Sequence, residues 1–268
     1  MYELEYVKKR KRKKLVAIVG FISATVVTAF AIVAFLGRFV GTFTVSLETR
    51  NVELTLLEKK DSTQRNSFLR VGALAALHEY TYSYFDYFYG DDQIDNDETS
   101  PDLGANRDEE GEIISLNFFK YTCFIENVGD VPAKYDWALN IVEDVLSENG
   151  ESLMDSLRVM IYVDGEKTVY GKALSTPHLD ENGEPDYRAP ISVDEYSANE
   201  DFPFMGYAEK FESSKVVTTF QGITLDVGEK KRYTIVTWLE GFRSSNDQFA
   251  PRGAKMKLGV EINAYENK

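Results

Sequence analysis

Few residues in this chain could carry out metal or nucleophilic chemistry. Its 268 residues include two histidines, His78 and His178, and one cysteine, Cys123. A zinc hydrolase needs clustered nitrogen, sulphur or carboxylate ligands, and the two histidines are far apart, with no His-Glu-x-x-His motif. Cys123 falls on the apolar side of an alternating pattern, which favours a buried structural thiol over a nucleophile. The sequence therefore predicts no catalytic residue, and the protein is not expected to be an enzyme.

Acidic side chains gather between residues 90 and 111, and calcium is the ion that such oxygen ligands would suit. An EF-hand loop that begins at Asp95 would need glycine at Ser100 and glutamate at Asn106, so that motif fails. We expect an acidic, solvated loop and no metal or other cofactor. The candidate ligands for a calcium loop of another kind are Asp91, Asp95, Asp97 and Asp102.

Residues 80–89 contain seven aromatic side chains with partial alternation. This pattern favours a strand that packs inward, because aromatic residues are typical of half-buried strands. The same side chains could instead stack against sugars, and the many acids could supply a carboxylate pair. A surface carbohydrate-binding module or hydrolase is therefore kept as an alternative function.

The elements that position these residues begin with a predicted membrane anchor. Residues 15–37 carry no charge and, as a helix, would span roughly 34 Å, slightly more than the hydrocarbon core of a bilayer. The basic run before this span would stay in the cytoplasm by the positive-inside rule. We expect a single-pass plasma-membrane protein with a cytoplasmic tail, 1–14, and an extracellular domain, 38–268. The topology signal is Lys8, Lys9, Arg10, Lys11, Arg12, Lys13 and Lys14.

The N-terminus allows two other interpretations. Ala29-Phe30-Ala31 resembles a signal-peptidase site, but the apolar run is longer than the about 7–15 residues of a signal peptide. A pilin-like subunit would carry a glutamate near the start of its helix, where this chain has Thr25. No nucleic-acid partner is expected, because the basic run adjoins a membrane span and the rest of the chain is acidic.

Alternating apolar residues predict strands over much of residues 43–264. Residues 121–126 and 133–142 are predicted to be neighbouring strands, joined by a turn around Asn127 and Gly129. The Asp164-Gly165 pair predicts a tight hairpin. Segment 67–78 is the best helical candidate outside the membrane span. Further strands are predicted on both sides of Arg50-Asn51 and at 216–220, 222–225, 232–239 and 256–264.

This pattern predicts an all-β ectodomain, an antiparallel β-sandwich of the jelly-roll type, behind one N-terminal transmembrane helix. The stretches near 90–111 and 174–203 are interpreted as insertions in one domain. Trp238 is expected to lie between the two sheets, with Glu240 beside an arginine or capping backbone amides and Gly241 in a turn. With a single cysteine, the domain must rely on its packed core and not on disulfides.

Three stretches carry a family resemblance: residues 121–130 (YTCFIENVGD), 157–165 with 168–170 (LRVMIYVDG, TVY) and 233–241 (YTIVTWLEG). Together they resemble secreted and surface proteins of Firmicutes and their Mollicutes relatives, and more distantly the camelysin/TasA group of biofilm-fibre proteins. The resemblance implies a jelly-roll ectodomain and a surface or matrix role. It implies no catalytic residue. The residues of this motif are Trp238, Glu240, Gly241, Asn127 and Gly129.

These observations favour a non-catalytic, membrane-anchored structural or interaction protein of the cell surface. Protein partners or self-association are expected, through sheet edges or through strand exchange. Segment 38–57 is the candidate donor strand because it joins the predicted span and has a strand pattern. The carbohydrate-binding or hydrolytic function and the pilin-like subunit remain the alternatives.

Overall fold

The computed structural model describes a domain built almost entirely of strands, and the all-β prediction is confirmed. The described residues are 41–50, 53–71, 79–80, 82, 89–97, 103, 105–107, 109–191, 198–199, 202–203, 206–240 and 253–266. Among the described helical segments are one turn, α1 (Asp91–Ile94), and a 3-10 turn (Leu153–Asp155). The strands are β1 (Gly41–Arg50), β2 (Leu54–Leu57), β3 (Phe68–Val71), β4 (Glu79–Tyr80), β5 (Ala105–Arg107), β6 (Ile113–Leu116), β7 (Phe118–Asn127), β8 (Ala133–Val145), β9 (Leu157–Val163), β10 (Glu166–Gly171), β11 (His178–Leu179), β12 (Pro185–Asp186), β13 (Pro190–Ile191), β14 (Ala198–Asn199), β15 (Phe202–Pro203), β16 (Gly206–Tyr207), β17 (Glu209–Lys210), β18 (Val216–Leu225), β19 (Lys230–Glu240) and β20 (Lys255–Glu266).

The N-terminal predictions fall outside the described residues. These are the basic tail, 1–14, and the predicted span, 15–37. Within the described ranges, no helix combines the length and the apolar character that crossing a bilayer requires. The membrane anchor therefore stays a prediction.

One sheet has five strands in the order β18–β8–β20–β1–β3. Strand β8 is antiparallel to both of its neighbours, whereas β1 runs parallel to β20 along its whole length, from Gly41 beside Met256 to Arg50 beside Tyr265. The sheets are thus mixed and not purely antiparallel as predicted. Strands β1 and β20 come from opposite ends of the domain, so no tight turn forces them to run in opposite directions.

The second sheet has seven strands in the order β17–β10–β9–β19–β7–β2, with β4 beside the end of β19. Strands β9 and β10 form the predicted hairpin, and Asp164 and Gly165 take positive φ values of 50° and 91° at its turn. Two residues with positive φ match the type I′ geometry that suits a twisted two-stranded ribbon. This hairpin prediction is confirmed.

The two sheets share one core. Tyr135 of β8 and Tyr233 of β19 join them through a hydroxyl–hydroxyl hydrogen bond of 2.8 Å, and Trp137 stacks on Tyr233 with ring centroids 5.3 Å apart. Cys123 is fully buried here, as expected. The predicted inward faces of β8 and β20 are also confirmed: Tyr135, Trp137, Leu139 and Ile141, and Met256, Leu258, Val260, Ile262 and Ala264, are all buried.

A second apolar cluster lies on the outer face of the seven-stranded sheet. Strand β19 points Tyr233, Ile235 and Leu239 toward the first core, so Val236 and Trp238 point the opposite way. The predicted position of Trp238 between the sheets is therefore wrong. The segments near both predicted insertions cover this face, and both faces of β19 are buried over its last eight residues. The cluster comprises Tyr82, Ile94, Phe118, Met160, Tyr162, Ile191, Ala208, Val236 and Trp238.

Two local predictions need correction. Strands β7 and β8 do not pair with each other, because β7 pairs with β19 and β2 while β8 pairs with β18 and β20. The turn between them carries the chain from one sheet to the other. In the predicted helix 67–78, residues 68–71 form β3 beside β1, and residues 72–78 lie outside the described ranges. Packing against β1 decides the structure of this short apolar segment.

Asn127 closes the crossover between the sheets. Its side-chain amide donates to the carbonyls of Val131 at 2.9 Å and Leu225 at 3.1 Å, and its Oδ1 accepts from the Gly129 amide at 3.1 Å. A Cβ on Gly129 would lie 3.3 Å from that Oδ1 and 3.4 Å from the backbone nitrogen of Glu53. The motif residues Asn127 and Gly129 thus hold the end of β7 against β18.

The tyrosine pair between the sheets can be tested by a double-mutant cycle. Tyr135→Phe or Tyr233→Phe alone leaves one buried hydroxyl without its partner, and each should lower the free energy of unfolding by about 1–2 kcal/mol. The double variant should lose no more than one single variant, because both hydroxyls are then gone. Urea unfolding monitored by tryptophan fluorescence measures all three. Additive losses would contradict this role of the hydrogen bond.

Candidate functional site: the outer face of the seven-stranded sheet

The outer face of the seven-stranded sheet carries an unusual number of buried polar groups. Side chains pointing outward from β7, β9 and β19 include Lys120, Arg158, Thr234 and Glu240, each no more than 6% exposed. Buried charges are costly unless they are paired and hydrogen bonded. Their partners lie in the segments that cover the face, so the pairing also fixes those segments in place.

Trp238 and Glu240 form the first polar contact of this face. Trp238 Nε1 donates to Glu240 Oε2 at 2.7 Å, and Glu240 Oε1 accepts from the Tyr82 amide at 3.2 Å. The Tyr82 ring also packs on Trp238, with centroids 5.7 Å apart. Glu240 therefore caps a backbone amide of the covering segment. Gly241, the last motif residue, lies outside the described residues.

Arg158 lies in the same region, directly across the ladder from Trp238. Its Nε and one terminal nitrogen both donate to the Pro190 carbonyl, at 3.1 and 3.0 Å, and its other terminal nitrogen donates to Leu157 at 3.0 Å. Burial lowers the pKa of Arg158, and the charge of Glu240 partly offsets that effect. Arg158 and Glu240 thus attach the two covering segments, at Pro190 and Tyr82, to neighbouring strands.

Asp91 of α1 forms a second group of contacts. Its Oδ1 accepts from the Tyr162 hydroxyl at 2.7 Å and from Lys167 Nζ at 2.8 Å. Lys167 also donates to the Tyr82 hydroxyl at 3.0 Å. Burial alone would raise the pKa of Asp91, but the hydrogen bonds from Lys167 and Tyr162 outweigh it and lower that pKa. The carboxylate is therefore held in its charged form.

Asp95 and Asp97 share one arginine. The terminal nitrogens of Arg232 donate to Asp95 Oδ2 at 2.6 Å and to Asp97 Oδ1 at 2.8 Å. Asp95 Oδ1 also accepts from Thr234 Oγ1 at 3.0 Å, and Thr234 is 3.1 Å from Thr122 Oγ1. The hydrogen bond from Arg232 lowers the pKa of Asp97. The Asp95 side chain is only 8% exposed, so this pairing compensates a substantial desolvation cost.

These contacts show where the candidate calcium ligands lie. Asp91, Asp95 and Asp97 each face a lysine or arginine of the sheet, and Asp102 lies outside the described residues. In the part of the chain that the structure describes, no three histidine, cysteine or acidic side chains form a group that could hold a metal ion. Within residues 91–97, Ile94 is fully buried and the Asp95 side chain is 8% exposed, whereas Asp91, Asp92 and Gln93 lie at the surface. The solvated loop that composition predicted therefore describes only part of this segment.

Lys120 is the polar residue of this face that the sequence analysis missed. It is fully buried, and its Nζ donates to Asn96 Oδ1 at 2.6 Å. Asn96 Nδ2 in turn donates to the Gln93 carbonyl at 2.8 Å. The signal in the sequence was a single lysine within the apolar run 118–125, FFKYTCFI. Its outward position alone suggested solvent exposure, because the covering loop could not be foreseen.

The remaining candidates offer little for small-molecule chemistry. Burial raises the pKa of the Cys123 thiol to about 12, which leaves it protonated and unreactive at neutral pH. A cleft of about 250 Å³ at the edge of the outer face is smaller than typical ligand pockets. Its charged side chains pair with one another or with close neighbours, as Arg232 does with Asp97 and Lys231 with Asp164. The cleft is lined by Lys60, Asp97, Phe124, Asp164, Lys230 and Arg232.

The Arg232 pairing can be tested against an exposed ion pair of the same length. Arg232→Met leaves the buried Asp95 carboxylate without its cation, and we expect a loss of about 2–3 kcal/mol in the free energy of unfolding. Lys172→Met removes a 2.6 Å pair with Asp155 in which both side chains are well exposed, and it should cost at most about 0.5 kcal/mol. Urea unfolding compares them, and equal losses would contradict the structural role of Arg232.

Comparison with known proteins identifies no relative of this chain. The chain matches no protein-family model, no curated protein and no solved structure. The resemblance to secreted jelly-roll proteins therefore stays a prediction drawn from the three short stretches.

Proposed function

We propose that this protein is a non-catalytic surface protein, anchored by residues 15–37 with its N-terminus in the cytoplasm and a jelly-roll-like domain outside the cell. It acts by binding other proteins or further copies of itself, and copies join by exchanging the strand that follows the anchor. The long uncharged segment supports the anchor. Several successive long strands belong to alternate sheets, and the two sheets face each other across one core. This arrangement supports the jelly-roll topology.

The observation that carries this proposal is the position of β1. This strand directly follows the predicted anchor, yet it lies inside the five-stranded sheet, between β20 and β3. Val45 is fully buried and Leu47 nearly so, which means that β1 contributes to the core as well as to the backbone ladder. Removing β1 would open a long apolar groove that fits the same strand of another copy.

The chain covers one pair of sheet edges at β10 and β18. The Phe211 amide donates to the Gly171 carbonyl at 2.9 Å, and the Glu212 amide donates to Val217 at 3.2 Å. Glu212 Oε1 then accepts from the Thr219 amide at 2.6 Å. These groups occupy positions that an added strand would use, so simple edge addition is disfavoured here.

Asn66 and Ser67 join the two sheets on the side opposite to β10 and β18. The Asn66 amide donates to the Leu56 carbonyl at 3.2 Å, and the Asn66 carbonyl accepts from the Leu56 amide at 2.8 Å. The next residue, Ser67, accepts from the Leu47 amide at 3.0 Å. One short segment therefore connects β2 of one sheet with β1 of the other. Because these positions on β1, β2, β10 and β18 are occupied, strand exchange is favoured over the addition of a strand there.

Two single-cysteine chains can detect exchange of β1. Ser46 of β1 and Glu261 of β20 are register partners on the outer face of the five-stranded sheet. A full-length Ser46→Cys chain and a full-length Glu261→Cys chain, produced together, can form that disulfide only if β1 of one lies beside β20 of the other. We expect a disulfide-linked heterodimer on non-reducing gels of membranes. The native Cys123 is fully buried and should not compete.

Two controls define the outcome. The double variant Ser46→Cys/Glu261→Cys should form an intrachain bond, which shows that the neighbouring positions suit a disulfide. Lys172→Cys, an exposed position outside this ladder, should form no heterodimer with Ser46→Cys. Efficient intrachain bonding without any heterodimer would contradict strand exchange and would leave partner binding as the remaining part of the proposal.

The anchor has a separate test. In intact cells, added protease should degrade residues 40–268 and spare the cytoplasmic tail, and mass spectrometry of the membrane-bound protein should find an N-terminus at Met1 or Tyr2. The lysines and arginines at 8–14 provide the topology signal, so replacing all seven with glutamine should reduce the protease-accessible fraction. An N-terminus at Ile32 would show cleavage after Ala31 and exclude the anchor.

A further inference from the structure

The contact between Lys120 and Asn96 brings a buried amine to a half-buried carboxamide. Lys120 Nζ is 2.6 Å from Asn96 Oδ1. Since a carbonyl bond is about 1.2 Å long, the amine nitrogen lies at most about 3.8 Å from Asn96 Cγ. Reacting atoms in productive complexes lie about 3–3.5 Å apart, so a small shift would bring the pair to that distance.

Apolar side chains flank Lys120 on the sheet. Lys120 projects from β7 two residues after Phe118 and directly across the ladder from Val236, and all three are fully buried. Tyr89 of the covering segment packs edge-on against Phe118, with centroids 5.2 Å apart. Desolvation penalises a charged lysine relative to the neutral amine, and only the neutral amine is a nucleophile. A reaction at Lys120 would therefore start from its neutral amine.

A buried carboxylate directly precedes the amide. Asp95 is 8% exposed and is held by Arg232 and Thr234. A carboxylate that adjoins the amide can carry a proton from an attacking amine to a leaving group once it comes within hydrogen-bond reach of both. Asn96 Nδ2 is held by the Gln93 carbonyl, which turns Oδ1 toward Lys120. Amine, amide and carboxylate thus belong to one packed patch.

We propose that Lys120 and Asn96 join covalently, in an intramolecular amide cross-link that forms after folding. A bond forms between Lys120 Nζ and Asn96 Cγ, and the bond between Asn96 Cγ and Nδ2 breaks. One proton moves from Nζ through the Asp95 carboxylate to Nδ2, which leaves as ammonia. No electron is transferred, and the reaction needs no added reagent.

The cross-link would fix the acidic segment to the sheet permanently. It closes a ring from residue 96 to residue 120, in a chain whose single cysteine allows no internal disulfide. Closing a loop of that length restricts the unfolded chain much as a disulfide does. The bond would also outlast any loss of the Asp91, Asp95 and Asp97 ion pairs in acid or high salt.

Mass spectrometry of the purified full-length protein tests the bond directly. The intact mass should be lower than the sequence mass by about 17 Da, the mass of the ammonia released in the acyl transfer. A tryptic digest should contain residues 71–107 joined to residues 108–134, because a modified Lys120 resists cleavage. Folded wild-type protein at its full sequence mass, without this joined peptide, would overturn the proposal.

Loss of ammonia can also come from ring closure at the Asn96-Asp97 bond, so Lys120→Arg is the decisive control. This variant keeps a cation but removes the primary amine, and both the joined peptide and the mass loss should vanish. A mass loss that persists in Lys120→Arg, with no joined peptide in the wild type, would assign it to ring closure and sink the proposal. The digest of the wild-type protein is the deciding measurement. Misfolding of the Lys120→Arg variant would therefore not prevent a conclusion.

A pair of matched variants tests Asp95. Asp95→Asn removes the proton carrier and should reduce the joined peptide at least tenfold in freshly made protein. Asp97→Asn also removes one contact of Arg232 and also adjoins Asn96, but the Asp97 side chain is 42% exposed against 8% for Asp95, and this variant should cross-link like the wild type. Equal cross-linking in both variants would exclude Asp95 from the reaction.

Discussion

The structure depends on a seven-stranded sheet whose central strands, β7, β9 and β19, are buried on both faces. Its inner face meets the five-stranded sheet through Tyr233 and its neighbours, and its outer face is covered by two long connecting segments. A buried polar side chain on either face is therefore costly unless it has a partner inside the protein. On the inner face Tyr135 supplies that partner, and on the outer face Asp95, Glu240 and the Pro190 carbonyl do so.

Local sequence patterns predicted which segments form strands better than they predicted which strands pair with each other. Alternation identified the buried sides of β8 and β20, and Asp164-Gly165 identified one hairpin, because both signals act over a few residues. The pairing of β7 and β8 was wrong because their turn crosses between sheets, where Asn127 is fixed by the distant Leu225 carbonyl. The predicted face of Trp238 was wrong because β19 is buried on both sides, so apolar and polar residues do not alternate along its sequence.

The candidate site lay almost wholly beyond sequence reasoning. The acidic residues 91–97 looked like a solvated loop because composition cannot show that Arg232 and Lys167, far along the chain, would face them. Asp95 and Asp97 have nearly the same sequence context, yet one carboxylate is buried and the other is half exposed. Lys120 differed visibly from its apolar neighbours in sequence, but its contact with Asn96 depends on the fold of the loop between them.

The parallel arrangement of β1 and β20 has a mechanical consequence. A pull on the N-terminal end of β1, directed along the strand, would load every hydrogen bond to β20 and β3 at the same time. Bonds loaded side by side must break together, whereas a pull across the strand would open them one after another. A domain stretched between its first strand and a distant attachment point would therefore resist rupture in shear, its stiffest direction.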